Sequence, residues 1–477
     1  MSYFDSDNFF EDDMESSHSP KKNHREEDIE RFKELLKKGG NGISSIEALE
    51  EIVNFYFEQE RFEEALGFAD QLVEFAPYSS DAWMCKGMLL NNMCRYDEAL
   101  FCYDQALSLN PADSDLFINR GITLDNANRG EEALVDFDRA LEYSPNNDEA
   151  LFNKAITLEK MERYAEAVEI LNFLLDDHRD NRDIWFELGF CYDLMDRLDE
   201  SLKCYDEHIN RDPYNFNAWY NRGIVLARSG DSKRSIESYD MAIAIKEDFA
   251  SAWYNKGNAM ASAGKLQEAI ECYRQTLRYE PNDVPAWHNL GNAYEEAENY
   301  PDAVQCFTRA IQLDSEHYES FFGRGSCFDA MEQFGKAMSD YNRALELCRE
   351  YPELWYAKAD CEYNMGKQKE SILSYKMVVQ LDPANSEAWF DYGDTLLELN
   401  QLDEALPALE KSIELNPKFA EPYYSKAKLF FLTRKITDAI DSLKTAFGLD
   451  STMRERFDDD FARVRSIKDF VGSLLRS

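Results

Sequence analysis

FNAWYNRGIVLARSGDSKRSIESYDMAIAIKEDF, residues 216–249, is followed without a break by ASAWYNKGNAMASAGKLQEAIECYRQTLRYEPND, residues 250–283. Superposing the two lays Trp219 on Trp253, Asn221 on Asn255, Gly223 on Gly257 and Tyr239 on Tyr273, one pattern of large and small residues written twice 34 apart. The spacing continues outward in both directions. Trp83, Trp185, Trp219, Trp253, Trp287, Trp355 and Trp389 all differ by whole multiples of 34, and twelve in-phase copies begin at 46, 80, 114, 148, 182, 216, 250, 284, 318, 352, 386 and 420. A unit of this length cannot bury its apolar face alone, so the copies must stack into a solenoid.

Slots 1 to 34 within each repeat describe a helix, a turn and a second helix. Slot 4 holds the tryptophans, slot 8 is Gly or Ala in every copy but the first, slot 20 is always Ala or Ser, and slot 24 is usually a large ring, as in Tyr103, Phe137 and Tyr205. Large residues opposite small ones let two helices approach closely. Slot 32 is proline in seven copies, among them Pro77, Pro213 and Pro383, and proline stops a helix because it lacks an amide donor and clashes with the preceding turn.

With its Trp, Leu-Gly, Tyr, Ala, Phe/Tyr and Pro columns, the stretch from 46 to 453 resembles a tetratricopeptide repeat protein. That resemblance implies an all-α, right-handed superhelix, an α-α solenoid of helix-turn-helix repeats whose first helices line the concave surface. Eight repeats per turn would wind twelve into about one and a half turns around a deep groove. Weak copies are present: the repeat from 148 carries Leu171 and Leu174 in ring positions, and the repeat from 182 places His208 where a small residue is usual.

The ends depart from the period. Residues 1–25 are rich in Ser, Asp and Glu and are expected to form a disordered acidic tail, with Tyr3, Phe4, Phe9 and Phe10 as a candidate recognition peptide. Residues 26–45 are read as a short helix and linker, with Ile29, Phe32, Leu35 and Leu36 on one face before Gly39-Gly40. Residues 454–477 continue at helical spacing through Phe457, Phe461, Val464 and Ile467, as expected of a capping helix over the open face of the last repeat.

The opening residues show no secretory signal, and no apolar run is long enough to span a membrane. Four of the ten cysteines share slot 23 and three share slot 10, which suits small buried packing residues kept reduced in the cytoplasm better than a disulfide framework. Phosphate-loop, His-Glu-x-x-His and paired Cys-x-x-Cys motifs are absent, and the six histidines are scattered. No catalytic, cofactor-binding or metal-binding role is expected, and the repeats leave no room for a catalytic domain.

A formal net charge of −41 disfavours nucleic acid and anionic membrane and favours a basic protein partner. Much of the acidity has a local explanation, since slots 2 and 19 fall in the first turns of the two helices, where the helix dipole favours a carboxylate. Slots 9, 12 and 13 have no such excuse. The resemblance places them on the concave surface, and they hold Glu58, Asp125, Glu159, Asp193, Glu295, Glu296, Asp329, Asp360, Asp394 and Glu398 against Lys160, Arg228 and Lys428.

Two ladders share that surface. Slot 6 is Asn119, Asn153, Asn221, Asn255 and Asn289, amides able to pair with an extended backbone, and slot 5 includes Phe186, Tyr220 and Tyr254, faces for aliphatic or cationic side chains. The basic clamp with which related modules hold acidic chaperone tails is missing, because slot 5 never holds Lys and slots 2 and 6 never hold Lys or Arg. The expected function is that of an adaptor binding a basic or extended partner segment in an acidic, aromatic-lined groove. A self-assembling scaffold and a regulatory subunit of a separate enzyme are the alternatives, and the oligomeric state is open.

Overall fold

A computed structural model describes residues 43–460 together with Ile29, Lys33 and Glu34. The expected acidic tail, the rest of the segment before residue 43 and the apolar residues from 461 onward lie outside the described residues. The described chain is all-α. Twenty-four helices form twelve consecutive hairpins from Ile43–Phe57 and Phe62–Phe75 to Ala420–Leu432 and Ile436–Leu449, and Thr452–Asp460 follows them. The described chain divides into two compact bodies, one up to Val225 and one from Leu226.

Each hairpin is built from local chemistry repeated in phase. Slot 34 carries the cap of the next first helix: Ser79, Asp113, Asn147, Asn181, Asp283 and Asn385 each accept a backbone N–H of the helix that follows. Slot 15 makes the turn between the two helices. All twelve residues there have positive φ, from Glu60 at 56° to Gly230 at 82°, although only three of them are glycine. A left-handed residue closes the first helix, and the strain at the nine others is offset by the packing on either side.

Within the hairpin the small and large columns meet. A Cβ added to Gly87 would stand 2.8 Å from the Tyr103 ring, one at Gly121 2.7 Å from Phe137, and one at Gly291 2.7 Å from Phe307. These rings are themselves fully buried, so the missing side chain at slot 8 is filled by the ring at slot 24. The tryptophan column has a further use that its spacing alone did not disclose. Every Trp Nε1 donates to the carbonyl six residues earlier, at slot 32 of the preceding repeat, from Trp83 to Pro77 (3.1 Å) through Trp253 to Glu247 (2.9 Å) to Trp389 and Pro383 (3.0 Å). An indole thus latches the loop between repeats at seven of the eleven junctions.

At the ends, Ile29 is buried in the cluster of Ile52 and Val53, and Met453 and Phe457 are buried against Tyr424 and Leu443. No disulfide joins the ten cysteines, seven of which are buried. No described helix is long and apolar enough to cross a membrane.

Candidate functional site

Successive first helices touch one another directly, for instance Ser114–Asn126 with Asp148–Lys160 and Ser386–Glu398 with Ala420–Leu432, whereas no two successive second helices approach to that extent among the described residues. In a stack of hairpins the closer row is the inner one. The first helices therefore form the inner row of each body, and slots 5, 6, 9, 12 and 13 are carried on that row.

The bases of the chain are mostly spent elsewhere. At slot 7 of the first helix Lys86, Lys154, Arg222, Lys256 and Lys426 each reach back to an acid at slot 25 of the preceding repeat, at 2.5 to 2.8 Å. Arg120 grips Asp104 in the same way and Asp136 as well, both at 2.7 Å. The slot 19 acids of the first five repeats, Glu64, Glu98, Glu132, Glu166 and Glu200, each pair with an arginine three residues before them. The helix terminus accounts for their acidity, and the arginine adds a second local partner.

The inner-surface carboxylates fall into three kinds. Asp125 is neutralised by Lys160 of the next repeat at 2.6 Å, and the groove cation Lys428 is held by Asp460 at 2.8 Å. Glu159 lies against Glu187 of the next first helix and accepts a weak bond from Cys191 Sγ at 3.7 Å. Burial raises Glu159 to about 7, and burial together with the Glu159 charge raises Glu187 well above the usual range, so the two share a proton at neutral pH. Glu187 occupies slot 6, where the asparagine ladder read from the sequence passes over it.

The third kind runs through repeats 9 to 11. Tyr375 Oη donates to Asp360 at 2.6 Å, Tyr363 Oη to Glu398 at 2.8 Å, Ser425 Oγ to Asp394 at 2.6 Å, and Tyr356 Oη to Asp391. Asp329 Oδ1 is buried with no hydrogen-bond partner. Among the described residues none of these five carboxylates meets a Lys or Arg. Burial lifts Asp360 to about 6 against the Tyr375 hydrogen bond, and lifts Asp391 and Asp329 above the ordinary range.

The other residues singled out from sequence divide between scaffold and surface. Phe186 is buried at 4 % exposure and gives its ring to Tyr205 and His208, so its face is turned to the core. Asn119 and Asn153 donate within their own helices, to the carbonyls of Asp115 (2.8 Å) and Glu149 (2.9 Å). Asn289 donates to Tyr254 Oη at 2.9 Å and Asn258 Oδ1 at 3.0 Å, so this amide and ring tie two repeats together. Asn221, Asn255, Tyr220, Asp193 and Glu295 are half-buried, and burial raises Glu295.

Two histidines far apart in sequence meet. The rings of His288 and His317 lie 5.1 Å apart, and both Nδ1 atoms approach Ser320 Oγ, at 3.2 and 2.9 Å. Burial, then the His317 charge, lowers His288 to about 4, and His317 Nδ1 accepts the Ser320 backbone N–H as a helix cap. Ser320 is itself fully buried, so this is a structural knot.

Models described as tetratricopeptide repeat match residues 80–113, 126–181, 195–250, 284–317, 318–351, 352–385 and 374–406, and models described as TPR repeat match 257–297 and 393–433. Together they cover well over half of the chain, which belongs to the tetratricopeptide repeat family. Members are typically modules for protein–protein interaction, and that is the general class of this chain. No curated protein matches it. Among solved structures it is similar to the C-terminal part of a TPR repeat-containing protein from Cytophaga hutchinsonii (21 % identity, 50 % of this chain, 97 % of that one, TM-score 0.45). It is also similar to YrrB, titled a TPR protein with an unusual peptide-binding site (25 %, 40 %, 98 %, 0.36), and to MamA (22 %, 34 %, 94 %, 0.33).

Proposed function

We propose that the chain is an adaptor whose first-helix surface in repeats 9 to 11 holds an extended, arginine- or lysine-bearing segment of a partner protein. The reading rests on Asp329, Asp360, Asp391, Asp394 and Glu398, carboxylates that no described base neutralises. Partly desolvated carboxylates without counter-charge are costly, and a guanidinium relieves that cost while supplying the donor that Asp329 Oδ1 lacks. The half-buried rings of Phe322, Tyr356 and Phe390 stand on the same row and offer faces to a cation or its aliphatic stem.

A fluorescein-labelled peptide alternating arginine and alanine, titrated with the full chain, tests this by anisotropy. Binding should weaken steeply from 0.05 to 0.5 M salt, because exposed charge pairs are screened over about 10 Å at 0.1 M. It should strengthen as pH rises through about 6, where Asp360 loses its proton and gains its charge. Asp360→Asn with Asp391→Asn should cost roughly tenfold or more in affinity. Equal binding of the matching aspartate peptide, or no response to the double substitution, would overturn the proposal.

A further inference from the structure

The charge ladder on the second-helix side is reversed between repeats 7 and 8. Where six other junctions set an acid at slot 25 against a base at slot 7, this one has Arg274 and Leu290, a base facing no acid, as Lys376 and Tyr392 do between repeats 10 and 11. A second change acts in the same direction. Arg139, Arg343 and Lys411 at slot 26 each bond a glutamate three residues on, at 2.8, 2.9 and 3.0 Å, but Arg309 in that slot reaches only Gln312 and Asn282, both at 3.4 Å. Arg278, one turn beyond Arg274, is exposed beside the Tyr279 ring at 5.6 Å.

These three arginines rim a cavity of about 630 Å³ whose wall is formed by Leu277, Leu290 and Trp287. Among the described residues none of them is paired with a carboxylate. Arg274 spends one donor on Tyr294 Oη at 2.5 Å, and a guanidinium carries five. The acid in the lining, Asp302, is occupied by Asn299 Nδ2 at 2.8 Å and Gln305 Nε2 at 3.3 Å. In a chain of net charge −41, unneutralised cations gathered around an apolar hollow of ligand size are complementary to one chemistry.

We infer that this cavity is a second docking site, for a partner segment in which a large apolar side chain is flanked by carboxylates. The apolar side chain enters between Leu277, Leu290 and Trp287, and the flanking carboxylates take the free donors of Arg274 and Arg309. Arg274 and Arg309 stand on second helices, Leu266–Tyr279 and Tyr300–Leu313, and the lining shares no residue with the acidic surface of repeats 9 to 11, so the site does not depend on it. The chain then joins a basic segment to an acidic one.

The probe is a fluorescein-labelled Asp-Asp-Phe-Asp-Asp peptide, with Asp-Asp-Ala-Asp-Asp and Lys-Lys-Phe-Lys-Lys as comparisons, titrated with the full chain by anisotropy. The phenylalanine peptide should bind at least tenfold more tightly than either comparison. Arg274→Glu and Arg309→Gln should each weaken it by roughly tenfold, as expected for a charged hydrogen bond removed. Both positions are solvent-accessible, and an unchanged helical circular dichroism signal certifies the fold of each variant. Asp360→Asn should leave this binding unchanged, which separates failure here from failure at the acidic surface. Absence of binding by the unaltered chain at 0.05 M salt, equal binding of the alanine peptide, or indifference to both arginine changes would overturn the inference.

Discussion

The rung between slots 12 and 13 of successive first helices occurs in two forms. Between repeats 3 and 4 it is Asp125 with Lys160 at 2.6 Å, and between repeats 10 and 11 it is Tyr363 with Glu398 at 2.8 Å. Both rungs span 35 residues and bind adjacent repeats through one polar contact. In the first the charge is cancelled on the spot; in the second a hydroxyl satisfies the carboxylate's geometry and leaves its charge in place. Equal amounts of acid along a solenoid therefore do not make equal amounts of negative surface. What decides is whether the neighbouring repeat answers with a base or a hydroxyl.

The comparison presupposes that both rungs are carried by the same close packing, and the largest effect should come from breaking it. Phe307 is fully buried and fills the space over Gly291, so Phe307→Ala should destabilise the second body by about 3–5 kcal/mol. Denaturant titration and hydrogen exchange would show the loss in repeats 8 and 9 first, since stability in a repeat array is mainly a nearest-neighbour property. Loss spread evenly over both bodies would show the array to be more cooperative than the packing implies.

A third form of inter-repeat contact, acid against acid, sharpens the contrast. The carboxyls of Glu159 and Glu187 have their protonation range raised in the folded chain from the ordinary 4.5, Glu159 to about 7. The stability of this contact is thus present below about pH 4.5 and is lost as pH rises through about 7. Glu187→Gln should stabilise repeats 4 and 5 at pH 8 by about 1–2 kcal/mol and change little at pH 4. Hydrogen exchange at the two pH values reads the difference, and a gain of equal size at both would remove the shared proton from the account.

The smallest effect tests the compared rung itself. Lys160→Ala leaves Asp125 without its base, converting the first form of rung toward the second. The chain should then bind the arginine peptide two- to threefold more tightly, the scale of a half-exposed ion pair. Unchanged or weaker binding in anisotropy would mean that the inner surface of repeats 3 and 4 is closed to a partner.

Much of the scaffold was legible because each column has a local meaning. The pairing of Gly121 with Phe137, or of Gly257 with Tyr273, follows from the complementarity of a missing and a large side chain sixteen residues apart within one hairpin. The candidate site was legible only in part. Reading slot 6 as an amide ladder singles out Asn289, whose amide ties two repeats together, but passes over Glu187 and Asp391, which occupy the same slot with carboxylates. Reading slot 5 as an exposed aromatic face fails at Phe186, where the neighbouring Tyr205 and His208 close over the ring.

By itself the sequence determined the period, the two helices of each repeat, their close approach and the all-α class, because these depend on contacts that recur in phase in most copies. Only the tertiary structure decided which carboxylates keep their charge and which arginines are left without an acid. Those outcomes depend on side chains from different repeats meeting across distances of 2.5 to 3.4 Å, and the identity of the residue that answers changes from one junction to the next. A periodic pattern specifies where such a meeting takes place. The individual partner that the fold brings there specifies its sign.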